Sequence, residues 1–154
     1  MSSNFRILPL AWLVLLLMPG GPVSAAPRVI ELTQVPCQFL EPENGVDHGY
    51  ESRSADDCIA INERTADGRL DVVEPMVLPP GEYIFRVKNR SVPYALGFWL
   101  RGDGLVARAA LPSVSGGGLS PGTSRDYAIT LEPGEYVYSC PLNPTPDYPI
   151  VVRQ

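Results

Sequence analysis

The chain has 154 residues, 45% of them hydrophobic and 19% charged, and a formal net charge of −5. A mild acidic balance argues against nucleic acid and anionic membrane surfaces as partners, because both attract basic patches. The length suits one domain with a full hydrophobic core.

The first residues, "MSSNFRILPLAWLVLLLMPGGPVSAAPRV", set Arg6 ahead of an apolar run from Ile7 to Met18. Pro19, Gly20, Gly21 and Pro22 break that run, and the small residues Val23-Ser24-Ala25 follow. This is the layout of a cleavable secretory signal. The run is shorter than the roughly 20 apolar residues that a spanning helix needs, so no stable membrane insertion is expected after signal removal. Residues 1–25 are read as a signal peptide and 26–154 as a single domain, periplasmic or secreted. Losing Arg6 with the leader takes the net charge to −6.

"VIELTQV" (29–35) alternates apolar and polar residues, the mark of a half-buried strand. A polar stretch follows, "CQFLEPENGVDHGYESRSADDC", bracketed by Cys37 and Cys58. In an oxidising compartment this spacing suits a disulfide. Closing such a loop contributes on the order of 3 kcal/mol. The competing reading is a metal site. Cys37, Cys58 and Cys140 with His48, the chain's one histidine, would supply three thiolates and an imidazole for zinc or copper. At the end of this stretch Ser54 and Asp57 suit a helix start and Gly68 a stop, which predicts one helix over 55–65.

The rest reads as strands and turns. Pro75 interrupts "LDVVEPMVL" and demotes it to an edge or bulged strand. "PPGEYIFRVKN" turns at Pro80-Gly81 and sets Tyr83, Phe85 and Val87 on one face. "YALGFWL" groups Tyr94, Leu96, Phe98 and Leu100, which leaves Trp99 pointing the other way beside Arg101. Trp and Arg are enriched at interface hot spots, so Tyr94, Trp99 and Arg101 form a candidate partner surface. "PSVSGGGLSPG" reads as a flexible loop, and "RGD" at 101–103 as a turn. "NRS" at Asn89 is a glycosylation sequon. "SRDYAITLEPGEYVYSCP" gives two strands joined at Glu132-Pro133-Gly134, and "YPIVV" closes the sheet. Short strands at this spacing predict a β-sandwich or Greek-key barrel.

Two segments, "LPPGEYIFRVKNRSVPYALGFWL" and "LSPGTSRDYAITLEPGEYVYSCPLNPTPDY", resemble the copper-flanking segments of cupredoxins. The resemblance covers residues 70–152 and implies an all-β, cupredoxin-like Greek-key β-sandwich, here with one short helix in an N-terminal insertion. Asn89 and Cys140 match the family pattern. Tyr94 stands where the first copper-binding His is expected, Pro144 or Thr145 near the second, and Asp147 or Tyr148 where the axial Met falls. A type 1 centre needs two imidazoles, a thiolate and a weak axial ligand. With His48 the one histidine and Met76 the one methionine after residue 25, one copy of the chain cannot build it.

Two readings of Cys140 stand: a small buried hydrophobe, or a thiolate site with unusual partners such as Tyr94 or Asp147. No nucleophile elbow, P-loop or other catalytic motif is present. The expectation is a non-enzymatic binding or accessory protein that serves an unknown envelope protein partner and carries no cofactor. The alternative is a copper or zinc carrier, or an electron-transfer protein, using Cys140 or the Cys37, His48 and Cys58 group.

Overall fold

Side chains that alternate along a strand must choose a face, and here nearly every strand turns its aromatic and aliphatic face to one core. The computed structural model describes residues 26–154; the signal-peptide reading of 1–25 lies outside the described residues. In chain order the elements are β1 (Arg28–Val35), β2 (Gln38–Phe39), a single 3-10 turn (Glu41–Glu43), α1 (Ala55–Leu70), β3 (Met76–Leu78), β4 (Gly81–Asn89), β5 (Leu96–Gly102), α2 (Gly104–Ala110), β6 (Val114–Leu119), β7 (Ser124–Leu131), β8 (Gly134–Ser139) and β9 (Tyr148–Val152).

Two sheets pack face to face, in the orders β2-β1-β4-β7 and β3-β9-β8-β5-β6. This is the sandwich that the cupredoxin resemblance implies. β4 buries Tyr83, Phe85 and Val87, and its antiparallel neighbour β7 buries Tyr127, Ile129 and Leu131. From the other sheet come Leu96, Phe98, Leu100, Tyr136, Tyr138 and Ile150. Phe98 lies at the centre, with ring centroids of Phe85, Tyr127 and Tyr138 5.7, 5.0 and 5.9 Å away. β3 is an edge strand, parallel to β9, as Pro75 suggests; the preceding Leu70 belongs to α1.

Three local expectations are corrected. α1 continues past Thr65 and Gly68 to Leu70, because Arg69 is drawn inward to Glu43 at 2.6 Å and holds the last turn. Its Ser54 makes no side-chain cap; Asp57 accepts from the N–H of Arg53 instead, at 2.7 Å. The "RGD" stretch leads into a second helix, α2. Gly102 permits it: a Cβ there would sit 2.3 Å from the Ala107 carbonyl, so any side chain would push α2 off the end of β5. The glycine-rich stretch is not a loop but β6, and its bare backbone lets the ring of Tyr127 lie against it. A Cβ on Gly116 would stand 3.1 Å from that ring. Strand propensity misses such a segment because pairing and packing, not side-chain preference, stabilise it.

Candidate functional site

Cys140 leaves the end of β8 at the pole where the insertion meets the sandwich. The residue is 1% exposed, and its Sγ accepts from the N–H groups of Asn143 (3.2 Å) and Gly97 (3.5 Å). Burial pushes the thiol pKa up. The N–H groups of Gly97, Asn143 and Leu142 and the side chain of Gln34 pull partly back. At neutral pH the group is therefore a thiol. Gln34 is itself fully buried: its Nε2 donates to the Gly97 carbonyl at 2.9 Å, while its Oε1 has no partner.

The positions that would carry the other copper ligands serve packing. Tyr94 reaches up to the insertion, its hydroxyl 2.9 Å from Ser52 Oγ and 3.4 Å from Asn143 Oδ1. Burial raises its pKa, so it stays a neutral phenol. The Pro144 carbonyl accepts from Asn62 of α1 at 2.6 Å, and Thr145 Oγ1 accepts from the N–H of Cys140 at 3.1 Å. Asp147 pairs with Arg101, and Tyr148 donates to Glu43.

Asn143 escaped the sequence reading. It is fully buried and joins three segments. Its Oδ1 accepts from the N–H of Cys37 at 2.9 Å and rests 3.1 Å from Cys58 Sγ, while its Nδ2 donates to the Val35 carbonyl at 3.0 Å. Cys37 and Cys58 form a disulfide, and Cys140 is the free cysteine among the described residues. The bond ties α1 to the end of β1 directly over the Cys140 loop.

A second cluster also went unread because its members are far apart in the chain. Glu43, 4% exposed, meets Arg69 at 2.6 Å, the Tyr148 hydroxyl at 2.5 Å and His48 Nε2 at 2.7 Å. Burial alone would raise the Glu43 pKa, but Arg69, Tyr148 and His48 outweigh it and bring it below the ordinary range. Burial and then the neighbouring Glu43 carboxylate push the Tyr148 pKa far up, with Arg69 pulling only partly back. His48, with its ring also stacked on Tyr50, is thus engaged with Glu43 rather than Cys140.

The three residues of the candidate partner surface do not share a face. Tyr94 sits beneath the insertion, while Trp99 and Arg101 belong to the second sheet. Arg101 is only 5% exposed, stacks 4.0 Å from the Trp99 ring centroid and forms paired bonds to Asp147 of 2.7 and 2.8 Å. Asn89 is fully buried, its Oδ1 accepting from the N–H of Val92 and its Nδ2 donating to the Tyr94 carbonyl. The sequon is therefore a loop clamp in the folded protein.

Above the Tyr94–Ser52 contact, the insertion and the 91–93 loop enclose an open cleft of about 760 Å³, with Asp47, Tyr50, Glu51, Arg53 and Asp57 on its walls. Among the described residues no three His, Cys, Asp or Glu side chains gather as a ligand set. The donors around Cys140 Sγ are N–H groups, with no imidazole among them, and do not fit a type 1 copper ion. No described helix is long and apolar enough to cross a membrane.

No protein-family model and no curated protein matches the chain. Auracyanin B, a cupredoxin of solved structure, aligns over 86% of this chain and 94% of its own at 14% identity, with a TM-score of 0.49.

Proposed function

We propose that the chain is a non-enzymatic, cupredoxin-like binding module of an oxidising, extracytoplasmic compartment. In it the copper pole of the fold has been converted into a packed platform for recognition. One observation carries this reading: Asn143, fully buried, links the Cys140 loop, the Cys37–Cys58 bond and β1, where a copper protein would keep an exchangeable ligand. The insertion locked by that plug forms the large cleft, whose charged walls offer a polar recognition surface for an envelope protein partner.

The experiment is affinity capture from the native compartment with the mature chain and with a variant that reverses two exposed wall charges, Glu51→Arg with Arg53→Glu. The reading expects a partner that the wild type retains and the variant loses. Equal capture by both forms removes the cleft as the binding face.

A second reading, metal carriage through Cys140 with non-standard ligands, is favoured by Gln34 Oε1, a buried acceptor with no partner beside the thiol. Native mass spectrometry of protein purified without chelator separates the two. A mass short by two hydrogens with no adduct fits the binding module. A copper or zinc adduct that disappears in Cys140→Ser fits the carrier.

A further inference from the structure

A small cleft of about 170 Å³ opens at the edge of the second sheet, between the 3-10 turn and the approach to β3. Met76 shares its register with the buried Ile150 and packs against the core, whereas the next residue, Val77, is 53% exposed. Tyr138 lines the cleft from β8, two strands in from that edge. Its ring is fixed by Phe39 and Tyr148, with centroids 5.2 and 5.5 Å away. The residue is 1% exposed, and its hydroxyl has no hydrogen-bond partner. Buried hydroxyls without partners are uncommon, because a lost hydrogen bond in a low-dielectric interior is costly.

The rim is acidic and unneutralised. Glu74 has neither a hydrogen bond nor an ion pair among the described residues. Glu41 commits only Oε2, to the N–H of Thr33 at 2.7 Å. Among the described residues the Asn44 side chain on the same wall also has no partner, and no basic residue lines the cleft. Burial, then Tyr148, Glu41 and Glu43, push the Tyr138 pKa far up, so the phenol stays neutral between these acids.

We propose that this cleft is a binding site for a hard divalent cation of the calcium type. Glu41 and Glu74 supply the charge, Asn44 an amide oxygen, and Tyr138 a hydroxyl that closes against the ion's water shell. The charged and polar donors on the rim are oxygens, which such ions select, while Met76 packs against the core. Two carboxylates are few. The affinity belongs in the roughly 10⁻⁴–10⁻³ M range of extracellular modules, where an extracytoplasmic protein meets the ion.

The test uses the mature chain in cation-free buffer. Terbium is titrated while tyrosine is excited, calcium is the competitor, and thermal melts are recorded with and without calcium. The expected result is saturable terbium emission displaced by calcium, at least about tenfold weaker in Glu74→Gln. Calcium should raise the wild-type melting temperature. Tyr138→Phe, which removes an unsatisfied hydroxyl without changing shape, should melt higher than wild type in cation-free buffer and no longer respond to calcium. Emission that does not saturate, or that is unchanged in Glu74→Gln, overturns the site. So does a Tyr138→Phe protein that is more stable while the wild type ignores calcium, because a water molecule alone then occupies the cleft.

Discussion

The backbone N–H of Asn143 points at the sulfur of Cys140 from 3.2 Å, while its side-chain oxygen takes the N–H of Cys37 at 2.9 Å. One residue thus couples the free thiol to the disulfide through a fully buried amide. Truncation in Asn143→Ala leaves the buried Cys37 N–H without its partner and strips the Val35 carbonyl of one hydrogen bond. Each such buried group costs about 1–3 kcal/mol, so a loss of about 2–4 kcal/mol in urea unfolding is expected. A change under about 0.5 kcal/mol, the size of a surface substitution, would show that the amide is not the tie described.

The thiol of Cys140 should be nearly inert in the native protein. It is 1% exposed and its pKa is raised by burial, so both access and thiolate fraction are low. Alkylation followed at neutral pH should be slow in buffer and fast in denaturant. Linkage has a definite sign here: the native thiol holds its proton to higher pH than the unfolded one. Its stabilising contribution is therefore full below the ordinary thiol value of about 8.5 and declines as pH rises above it. In Cys140→Ser that decline should disappear from the stability–pH curve. A native alkylation rate equal to the denatured one contradicts the buried placement.

The buried Glu43–Arg69 pair makes an acid-side prediction. The pKa of Glu43 is depressed on folding, so its contribution is present above the unfolded glutamate value of about 4.3 and is lost as pH falls through the native value. Glu43→Gln leaves Arg69 charged and unpaired in the interior, a defect that costs about 3–5 kcal/mol. Replacing both, Glu43→Met with Arg69→Leu, should recover most of that loss, because apolar substitutes for buried ion pairs are often neutral or better. Urea titrations of the three proteins at neutral and acidic pH decide it. Equal stability of Glu43→Gln and wild type at neutral pH would mean that Arg69 finds another partner.

Much of the sandwich was legible because period-two alternation reports a buried face directly. Tyr83, Phe85 and Val87, and Leu96, Phe98 and Leu100, all point where the pattern places them. Cys37 and Cys58 were readable as a pair because compartment and spacing restrict cysteine chemistry. The misses share a different cause. Gly116 and Gly117 carry no side chains, so β6 has no pattern to read; its strand state comes from β5 beside it and Tyr127 beneath it. Gly102 admits α2 through steric absence, which no propensity records. Asn143, Glu43 and Arg69 look like ordinary loop and helix polar residues until the fold joins segments up to 108 positions apart. The cupredoxin resemblance located the pole through Cys140, but not the amide that fills it.

Reduction of the Cys37–Cys58 bond should weaken the insertion without unfolding the sheets. The bond spans a separation of 21 residues, and releasing a loop of that size costs about 3 kcal/mol by the chain-entropy estimate. The core cluster around Phe85, Phe98 and Tyr138 draws on neither cysteine, and α1 keeps further ties, among them Arg69 to Glu43 and to the Tyr148 hydroxyl, and Asn62 to the Pro144 carbonyl. A reductant should therefore lower the urea midpoint while leaving the far-ultraviolet β signature intact. Hydrogen exchange should accelerate first in α1 and the 47–57 segment, with β4, β5 and β8 remaining protected. Simultaneous loss of protection in α1 and in those strands would instead mean that the insertion is part of the cooperative core and that the platform cannot open by itself.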